Sequence, residues 1–195
     1  HPRLTDMRLV AEIPVPDGWV KLHSVAVVVA GPNTGDDSKF LDLGENSVIK
    51  LQSSKISNEF WNEERLQNIY WKPNAFSHRR NIKYQGLGGV VYRLAGAEFT
   101  CSILPEKCYF LSRSPAIIPK EAVFLDFITG LSLSQVWKAF VRRSIRTNNF
   151  SPGAVADVLI PRPNSRTGER LARVGAEARK LLHLYLGTGQ QEELL

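Results

Sequence analysis

Residues 90–111 read VVYRLAGAEFTCSILPEKCYFL, and the fold class follows from this stretch. It contains three short runs, at 90–94, 98–103 and 108–111, that are rich in β-branched and aromatic residues and therefore predict strands. Gly96 and the Pro105-Glu106 pair separate the runs and are typical of turns. Strands this short, joined by connections of only a few residues, predict an antiparallel meander.

Upstream of this stretch, the sequence also alternates between strands and loops. Residues 19–30 form a β-branched run that ends at Gly31-Pro32, and residues 48–51 form a shorter one. Residues 33–37 are polar and predict a turn. Residues 58–68 mix polar and aromatic side chains, which favours a loop over a helix.

Downstream, the apolar residues follow a helical period. The first predicted helix begins at Pro119 and ends at Gly130, because glycine tolerates the left-handed dihedral angles of a helix end. Its apolar positions are Val123, Phe124, Phe127 and Ile128. Ser134 is predicted to cap the second helix, since its hydroxyl accepts a hydrogen bond from a free amide of the first turn. The predicted buried positions of this helix are Val136, Trp137, Phe140 and Val141.

A separate amphipathic helix is predicted at the end of the sequence. Residues 155–160 are expected to close against the sheet, and Pro161-Arg162-Pro163 then leaves the domain. The helix carries apolar residues at a spacing of three and four, and it has little core of its own to cover. We therefore expect it to dock on a neighbouring domain or subunit. The stripe consists of Leu171, Val174, Ala178, Leu181, Leu182 and Tyr185.

Taken together, these patterns predict an α+β fold. It comprises a mostly antiparallel sheet of short strands, a helical pair packed on it, and a C-terminal helix. We divide the chain into a leader from an upstream region (1–13), one domain (14–163) and the docking helix (164–195). The start at His1-Pro2 predicts that the chain is an excised piece of a longer protein.

Positive charge is concentrated in the middle of the sequence. Residues 1–64 carry 6 basic and 10 acidic side chains, residues 65–170 carry 16 and 6, and residues 171–195 carry 3 and 3. The middle segment should therefore attract a polyanion or an anionic surface, and such binding must weaken with salt. Charge alone does not distinguish DNA, RNA and lipid.

The stretch between Arg65 and Ala97 contains no Asp or Glu. Basic and aromatic side chains alternate in it, as is typical of nucleic-acid binding, although a half-buried sheet with a basic solvent face is the alternative. The basic residues are Arg65, Lys72, Arg79, Arg80, Lys83 and Arg93, and the aromatic ones are Tyr70, Trp71, Phe76, Tyr84 and Tyr92. We expect Trp19, Trp71 and Trp137 to lie in the core.

The sequence lacks the motifs of common catalytic and cofactor sites. The Gly-rich run at 85–89 does not have the spacing of a dinucleotide-binding loop and leads into a strand-like segment. No Ser, His and acid set stands out. Asp36, Asp37 and Lys39 lie in one loop, which leaves a small magnesium-dependent nuclease as an alternative. We predict that this segment is not an enzyme and binds no cofactor.

Cysteine content and hydropathy indicate a cytoplasmic protein. Cys101 and Cys108 are predicted to be reduced structural thiols, because a zinc site needs two further ligands and the histidines are isolated from them. No apolar run approaches the roughly 20 residues of a membrane span.

Several segments match, in order, the motifs of a known family. Residues 31–40 contain Thr34-Gly35-Asp36 followed by Lys39-Phe40, with Asp37 where the family usually has Asn. Residues 99–106 end in Leu-Pro-Glu, as its corresponding strand does. Over residues 14–163 the chain resembles the target recognition domain of adenine-N6 DNA methyltransferases of restriction-modification and BREX (PglX-like) systems.

Three further segments are similar to this family. Residues 112–119 resemble the strand that enters its first helix, and residues 150–163 resemble its closing element. Residues 124–141 resemble its helix, break and helix, although Gly130-Leu131-Ser132 stands where the family has an Asn-Ser pair. Residues 15–22 also resemble the start of type I restriction specificity subunits, which use a related recognition fold.

The resemblance implies sequence-specific recognition of double-stranded DNA in the cytoplasm of a prokaryote. Loops of the recognition domain read base edges in the major groove, while Lys and Arg hold the phosphates. A separate catalytic domain, which is expected to bind S-adenosylmethionine, methylates an adenine that has been turned out of the duplex. The partners implied are therefore duplex DNA and, through the C-terminal helix, the protein's own methyltransferase domain or a partner subunit.

On this interpretation the site residues fall into three groups. Contacts to bases and phosphates are expected from Lys72, His78, Arg79, Arg80, Lys83 and Tyr84. Phosphate contacts are expected from Arg142, Arg143, Arg146 and Asn148, although cations near a helix C-terminus also complement its macrodipole. Thr34 and Lys39 are expected to present a turn to the phosphates or to form a purely structural turn.

Two binding functions remain as alternatives. The chain would be half of a type I specificity subunit if the terminal helix were a long spacer that pairs with another helix. It would be a single-stranded RNA-binding module if its aromatic side chains were exposed for stacking. Burial of Tyr84, Tyr92 and Trp71 would argue against the RNA-binding module.

Overall fold

The computed structural model describes residues 18–36, 47–51, 56, 66–70 and 76–192. This part of the chain contains eight strands and four α-helices. The strands are β1 (Trp19–Lys21), β2 (Ala26–Val29), β3 (Ser47–Leu51), β4 (Leu66–Tyr70), β5 (Leu87–Tyr92), β6 (Cys101–Glu106), β7 (Ala116–Pro119) and β8 (Leu159–Pro161). The helices are α1 (Leu125–Leu133), α2 (Gln135–Ser144), α3 (Pro152–Ala156) and α4 (Arg166–Glu192).

The central sheet is antiparallel and has the strand order β2-β7-β5-β6. In its register, Val90 of β5 lies opposite Ile103 of β6 on one side and Ile117 of β7 on the other. The predicted α+β class is confirmed, but the predicted meander is wrong. Residues 108–111 form no strand, and Pro105-Glu106 ends β6 instead of forming a turn. The chain crosses one face of the sheet after β6, so β7 pairs on the far side of β5.

The two faces of the central sheet have different coverings. On the first face, Val90, Tyr92 and Ile117 pack against the helices in the largest apolar cluster. On the second face, Val91, Leu104, Ala116 and Ile118 pack against Ile56, Cys108 and Phe110. Helices therefore cover the first face, and extended chain covers the second.

Two smaller pairs of strands complete the β structure. β1 pairs with β8, with Val20 opposite Ile160, so the predicted run at 19–30 is two strands separated by the 3-10 turn Leu22–Ser24. Of the 155–160 segment that was expected to close against the sheet, only the end lies in β8, because α3 precedes it. β3 pairs with β4, which confirms the predicted strand at 48–51. β4 begins at Leu66, so residues 66–68 of the loop predicted at 58–68 form a strand, and residues 58–65 lie outside the described residues.

Helix α1 corrects both boundaries predicted for the first helix. Pro119 is the last residue of β7, and α1 runs through Gly130 to Leu133. A Cβ atom at Gly130 would overlap the carbonyl oxygen of Leu171 on α4. Glycine is therefore required here because the two helices cross closely, and it does not end the helix.

Helix α2 begins as the sequence predicts. Ser134 Oγ accepts a hydrogen bond from the Trp137 amide at 3.2 Å, which confirms the cap. Trp137 and Val141 are buried, as predicted. Val136 is 81% exposed, so its predicted burial is wrong. The buried stripe of α2 is centred on Trp137 and Val141, and Val136 lies outside it on the solvent side.

Helix α4 packs on α1 and β6 of the same chain. Leu171 contacts the main cluster, and Ala178 and Leu182 pack with Ile103 of β6. Arg179 adds ion pairs to Asp126 of α1 at 2.7 Å and to Glu106 of β6 at 3.2 Å. Part of the predicted stripe therefore covers this chain's own core. The stripe residues Val174 and Leu181, together with Leu184, are exposed.

Candidate nucleic-acid interface

Five loops meet where β2 and β5 end and where β6 and β7 begin. They comprise residues 30–36, 76–81, 93–98, 112–114 and 142–149, and together we name them the arginine end. These ranges hold seven arginines, no lysine and two carboxylates, Asp36 and Glu98. The arginines are Arg79, Arg80, Arg93, Arg113, Arg142, Arg143 and Arg146. Seven of the sixteen basic residues of the 65–170 segment thus belong to this end of the sheet, and all seven are arginines.

Loops 30–36 and 76–81 are joined through Asn33 and His78. These residues form an isolated antiparallel bridge, with N to O distances of 2.9 and 3.1 Å. Ser77 Oγ donates to the Asn33 carbonyl at 2.8 Å, and Asn81 Nδ2 donates to the Ala30 carbonyl at 2.8 Å. Asn81 adopts a positive φ of 60°, which turns the chain back onto the second face of the sheet.

Backbone hydrogen bonds connect the remaining loops in series. The 112–114 loop bonds to the 30–36 loop on one side and to the 93–98 loop on the other, and the 93–98 loop bonds to the 142–149 loop. The bonds are Ser112 N to Pro32 O (3.0 Å), Leu94 N to Arg113 O (3.4 Å) and Gly96 N to Asn148 O (3.0 Å). The arginine end is therefore one continuous, internally bonded surface.

The structure brings three of the predicted contact residues together beside Asn33. His78, Arg79 and Arg80 are exposed, and Arg80 Nε lies 3.4 Å from the Gly31 carbonyl. Lys83 is exposed but lies farther along the second face, with Nζ 5.0 Å from the centroid of the Tyr84 ring.

Tyr84 is half-buried and packs against the cluster on the second face. Part of the Tyr84 ring is therefore covered by the protein's own core.

The predicted phosphate contacts at the end of α2 divide into two kinds. Arg142 is half-buried, and its guanidinium donates to the carbonyls of Ala97 and Ile145 (2.9 Å) and to Asn148 Oδ1 (3.1 Å). Arg142 thus ties the end of α2 to the 93–98 loop and to residues 145–148, which follow the helix, and Asn148 is one of its acceptors. Arg143 and Arg146 are exposed and make no hydrogen bond or ion pair within the part of the chain that the structure describes.

The turn that contains Thr34 has a structural explanation. Thr34 is 8% exposed, and Asn33 Oδ1 accepts a hydrogen bond from the Gly35 amide at 3.0 Å. Gly35 has a φ of +83°, which suits glycine. Lys39 and Lys72, which were predicted to act beside this turn and in the basic stretch, lie outside the described residues, as does Trp71.

Arg113 was not predicted as a contact residue. It is exposed between the buried positions Leu111 and Ser114, and it lies in the middle of the series of bonded loops. Ser112-Arg113-Ser114 is an arginine between two small polar residues, next to an apolar strand. That pattern marks a loop with one long side chain, but its position beside Pro32 and Leu94 depends on the pairing of distant strands.

The large aromatic residues of the first face belong to the core. Phe99 contacts Trp137 at 5.6 Å and Phe150 at 5.1 Å between ring centroids, and Tyr92 at 5.3 Å. Tyr92 is fully buried, and desolvation raises the pKa of its hydroxyl. Trp137 is buried, which confirms its predicted place in the core. Trp19 is only half-buried, and its ring centroid lies 5.6 Å from that of Phe140.

The opposite end of the sheet has a different charge chemistry. It consists of residues 21–25, 82–86, 106–107 and 120–123, and we name it the lysine end. These ranges contain four lysines, two glutamates and no arginine. Lys21 pairs with Asp157 at 3.0 Å. The lysines are Lys21, Lys83, Lys107 and Lys120.

Metal-binding clusters and membrane-spanning helices are absent from the described residues. No group of three His, Cys, Asp or Glu side chains among them is placed to hold a metal ion, and none of their helices is long and apolar enough to cross a membrane. The Gly-rich run leads into β5 and not into a helix, as predicted. Cys101 and Cys108 are unpaired, and burial raises the pKa of their thiols to about 12 and about 11.

Comparison with known proteins identifies a similar fold. A solved structure described as "Structural basis underlying complex assembly and conformational transition of the type I R-M system" superposes on this chain with a TM-score of 0.50 and 15% sequence identity. The chain is similar in fold to a component of a type I R-M system. The match covers 94% of this chain and 44% of that one, so this chain spans less than half of its length. No protein-family model and no curated protein matches the sequence.

This similarity bears on the resemblance drawn from the sequence motifs. It shows that the α+β domain shares its fold with part of a structure from a type I R-M system.

Proposed function

We propose that this chain is a non-catalytic domain that recognises a specific sequence in double-stranded DNA and binds it with the arginine end. The observation that carries the proposal is the set of five bonded loops with seven arginines and two carboxylates. As part of a larger system, the domain would direct an adenine-N6 methyltransferase or a type I R-M complex to its site.

The kind of cation supports nucleic acid over a general anionic surface. A guanidinium presents a planar fork of donors that matches phosphate oxygens and the O6 and N7 atoms of guanine. A lysine ammonium neutralises charge without that geometry. Loops that stand on a bonded scaffold can enter a groove without losing their arrangement, as base reading requires.

Duplex DNA is favoured over single-stranded RNA by the burial of aromatic side chains. Recognition of single strands relies on exposed rings that stack on the bases. Tyr92 is fully buried, Tyr84 is half-buried, and both pack in apolar clusters. The nuclease alternative rests on Asp36, which is exposed, and Asp37, which lies outside the described residues.

A partner surface on α4 accompanies this proposal. Val174 and Leu181 are 53% and 57% exposed. We expect this row to contact the methyltransferase domain or a partner subunit, and S-adenosylmethionine to bind in that catalytic part and not here.

The proposal is tested by fluorescence anisotropy. The chain is titrated into a labelled random-sequence duplex, a single DNA strand and an RNA strand of equal length, each at two salt concentrations. We expect the duplex to bind most tightly, with log K falling linearly against log salt. Tighter binding to either single strand, or no binding to the duplex at low salt, would contradict the proposal.

A further inference from the structure

The 112–114 loop is at the centre of the arginine end. It is the loop that bonds both to 30–36, through Ser112 N and Pro32 O, and to 93–98, through Arg113 O and Leu94 N. Loops 76–81 and 142–149 lie one step farther out in the series. A ligand that spans the arginine end would therefore pass over Arg113.

The backbone of Arg113 is held on both sides. Ser112 N and the Arg113 carbonyl are hydrogen bonded as described, and Ser114 N donates to the Leu111 carbonyl at 3.1 Å. Ser114 is 2% exposed, and Ala116 at the start of β7 is fully buried. The loop is thus anchored in the central sheet and has little freedom to move its Cα atom.

The side chain of Arg113, in contrast, is unengaged. It is exposed, and it makes no hydrogen bond or ion pair with any residue that the structure describes. Arg142 differs, since its guanidinium already donates to three acceptors of the protein. Arg143 and Arg146 are also unengaged, but they lie at the outer loop of the series.

This combination suits base reading better than phosphate binding. A phosphate contact tolerates displacement of the cation, because charge attraction depends weakly on direction. A bidentate contact to guanine O6 and N7 requires a guanidinium on a fixed backbone with its donors free. Central placement brings the side chain to the groove, while outer cations meet the flanking phosphates.

We propose that Arg113 is a specificity-determining residue that reads a guanine in the major groove of the recognised duplex, with Arg143 as a phosphate contact. This inference rests on the proposed function, because it assigns one base pair of the recognised site to one side chain. Arg142 is a positioning residue that holds the 93–98 and 142–149 loops in place.

The test is selection of binding sites from a random duplex library by the wild-type chain and by three variants. Arg113→Ala removes the proposed reader, Arg113→Lys keeps its charge, and Arg143→Ala is the matched control at an exposed arginine of the same surface. Circular dichroism and thermal unfolding establish that each variant is folded.

We expect the wild-type consensus to include a G·C pair whose preference is lost in Arg113→Ala and not restored in Arg113→Lys. The affinity ratio between the matched and substituted base pair should fall by on the order of 10- to 100-fold at that position only. Arg143→Ala should keep the full consensus and weaken binding to all sequences alike.

Two results would overturn the inference, and they are distinguishable. If Arg113→Ala retains the full consensus and only binds all duplexes more weakly, Arg113 is a phosphate contact, and the proposed function stands. If the wild-type chain enriches no sequence at all, sequence-specific recognition by this chain fails, and the assignment of Arg113 fails with it.

Discussion

The two ends of the central sheet are both basic, but they use their charge differently. The arginine end holds seven arginines against two carboxylates, and at least three guanidiniums there make no hydrogen bond or ion pair with described residues. The lysine end holds four lysines against two glutamates, and Lys21 is paired with Asp157. The proposed interface therefore does not rest on net charge. It rests on the type of cation, on three guanidiniums without a hydrogen bond or ion pair to described residues, and on the bonding of the loops.

The largest expected effect separates the two ends by DNA affinity. Arg113→Glu with Arg143→Glu should weaken binding to a random duplex at about 0.1 M salt by on the order of 10²-fold, because two contacts are replaced by repulsive charges. Lys107→Glu with Lys120→Glu changes the net charge of the chain by the same amount and should cost less than about threefold. Fluorescence anisotropy measures both. Equal losses would mean that overall charge, and not the arginine end, attracts the DNA.

A second prediction separates positioning from contact within the arginine end. Arg142→Ala removes three hydrogen bonds from a charged donor and should lower the free energy of unfolding by about 2 kcal/mol. Arg143→Ala removes an exposed side chain and should change it by less than about 0.5 kcal/mol. Urea unfolding at neutral pH compares the two variants. If neither variant changed the free energy of unfolding, the hydrogen bonds of Arg142 would not stabilise these loops.

The smallest expected effect belongs to the lysine end. The Lys21 ammonium, and to a lesser extent His23, lowers the pKa of Asp157 from its ordinary value of 3.8. Because the pKa is lower in the folded state, this pairing stabilises the fold above pH 3.8, and the contribution is lost as the pH falls through the lower, folded-state pKa.

Asp157→Asn should therefore lower the Tm slightly at pH 7, and the difference from wild type should disappear at acid pH. DNA affinity at pH 7 should stay unchanged. Glu177→Gln, which breaks the exposed pair with Lys180 on α4, is a control at another surface pair. A change in DNA affinity on Asp157→Asn larger than that of the control would remove the functional distinction between the two ends.

The parts of the fold that depend on local chemistry could be predicted from the sequence. Ser134 caps α2 as predicted, because capping needs only a hydroxyl beside the free amides of the next turn. The strands predicted at 48–51 and 90–94 overlap β3 and β5 for the same reason, since β-branching is a local signal. The α+β class follows from these elements together.

The parts of the fold that depend on long-range contacts could not be predicted from the sequence. Gly130 has the appearance of a helix terminator, yet it lies within α1. Glycine is needed there because Leu171 of α4, 41 residues later in the sequence, packs directly against it. Residues 108–111 have the composition of a strand but serve as a crossing segment over the second face. Both outcomes are decided by what packs against the segment, which a local pattern does not record.

The residues of the candidate site also divide into those that a local signal predicts and those that depend on long-range contacts. The basic stretch around His78, Arg79 and Arg80 was found from charge density, and the structure places these side chains on the surface. Arg113 was missed because a single arginine in a short loop carries no such density. It becomes a candidate only when strand pairing brings Pro32 and Leu94 to either side of its loop.

The most direct test of the account is chemical footprinting with and without a bound duplex. A glyoxal reagent modifies accessible arginines, an acetylating reagent modifies accessible lysines, and mass spectrometry reads every site in the same sample. We predict that DNA protects Arg113, Arg143 and Arg146 and leaves Lys21, Lys107 and Lys120 as reactive as in the free protein. Protection of the lysines with unchanged reactivity of these arginines would contradict the account.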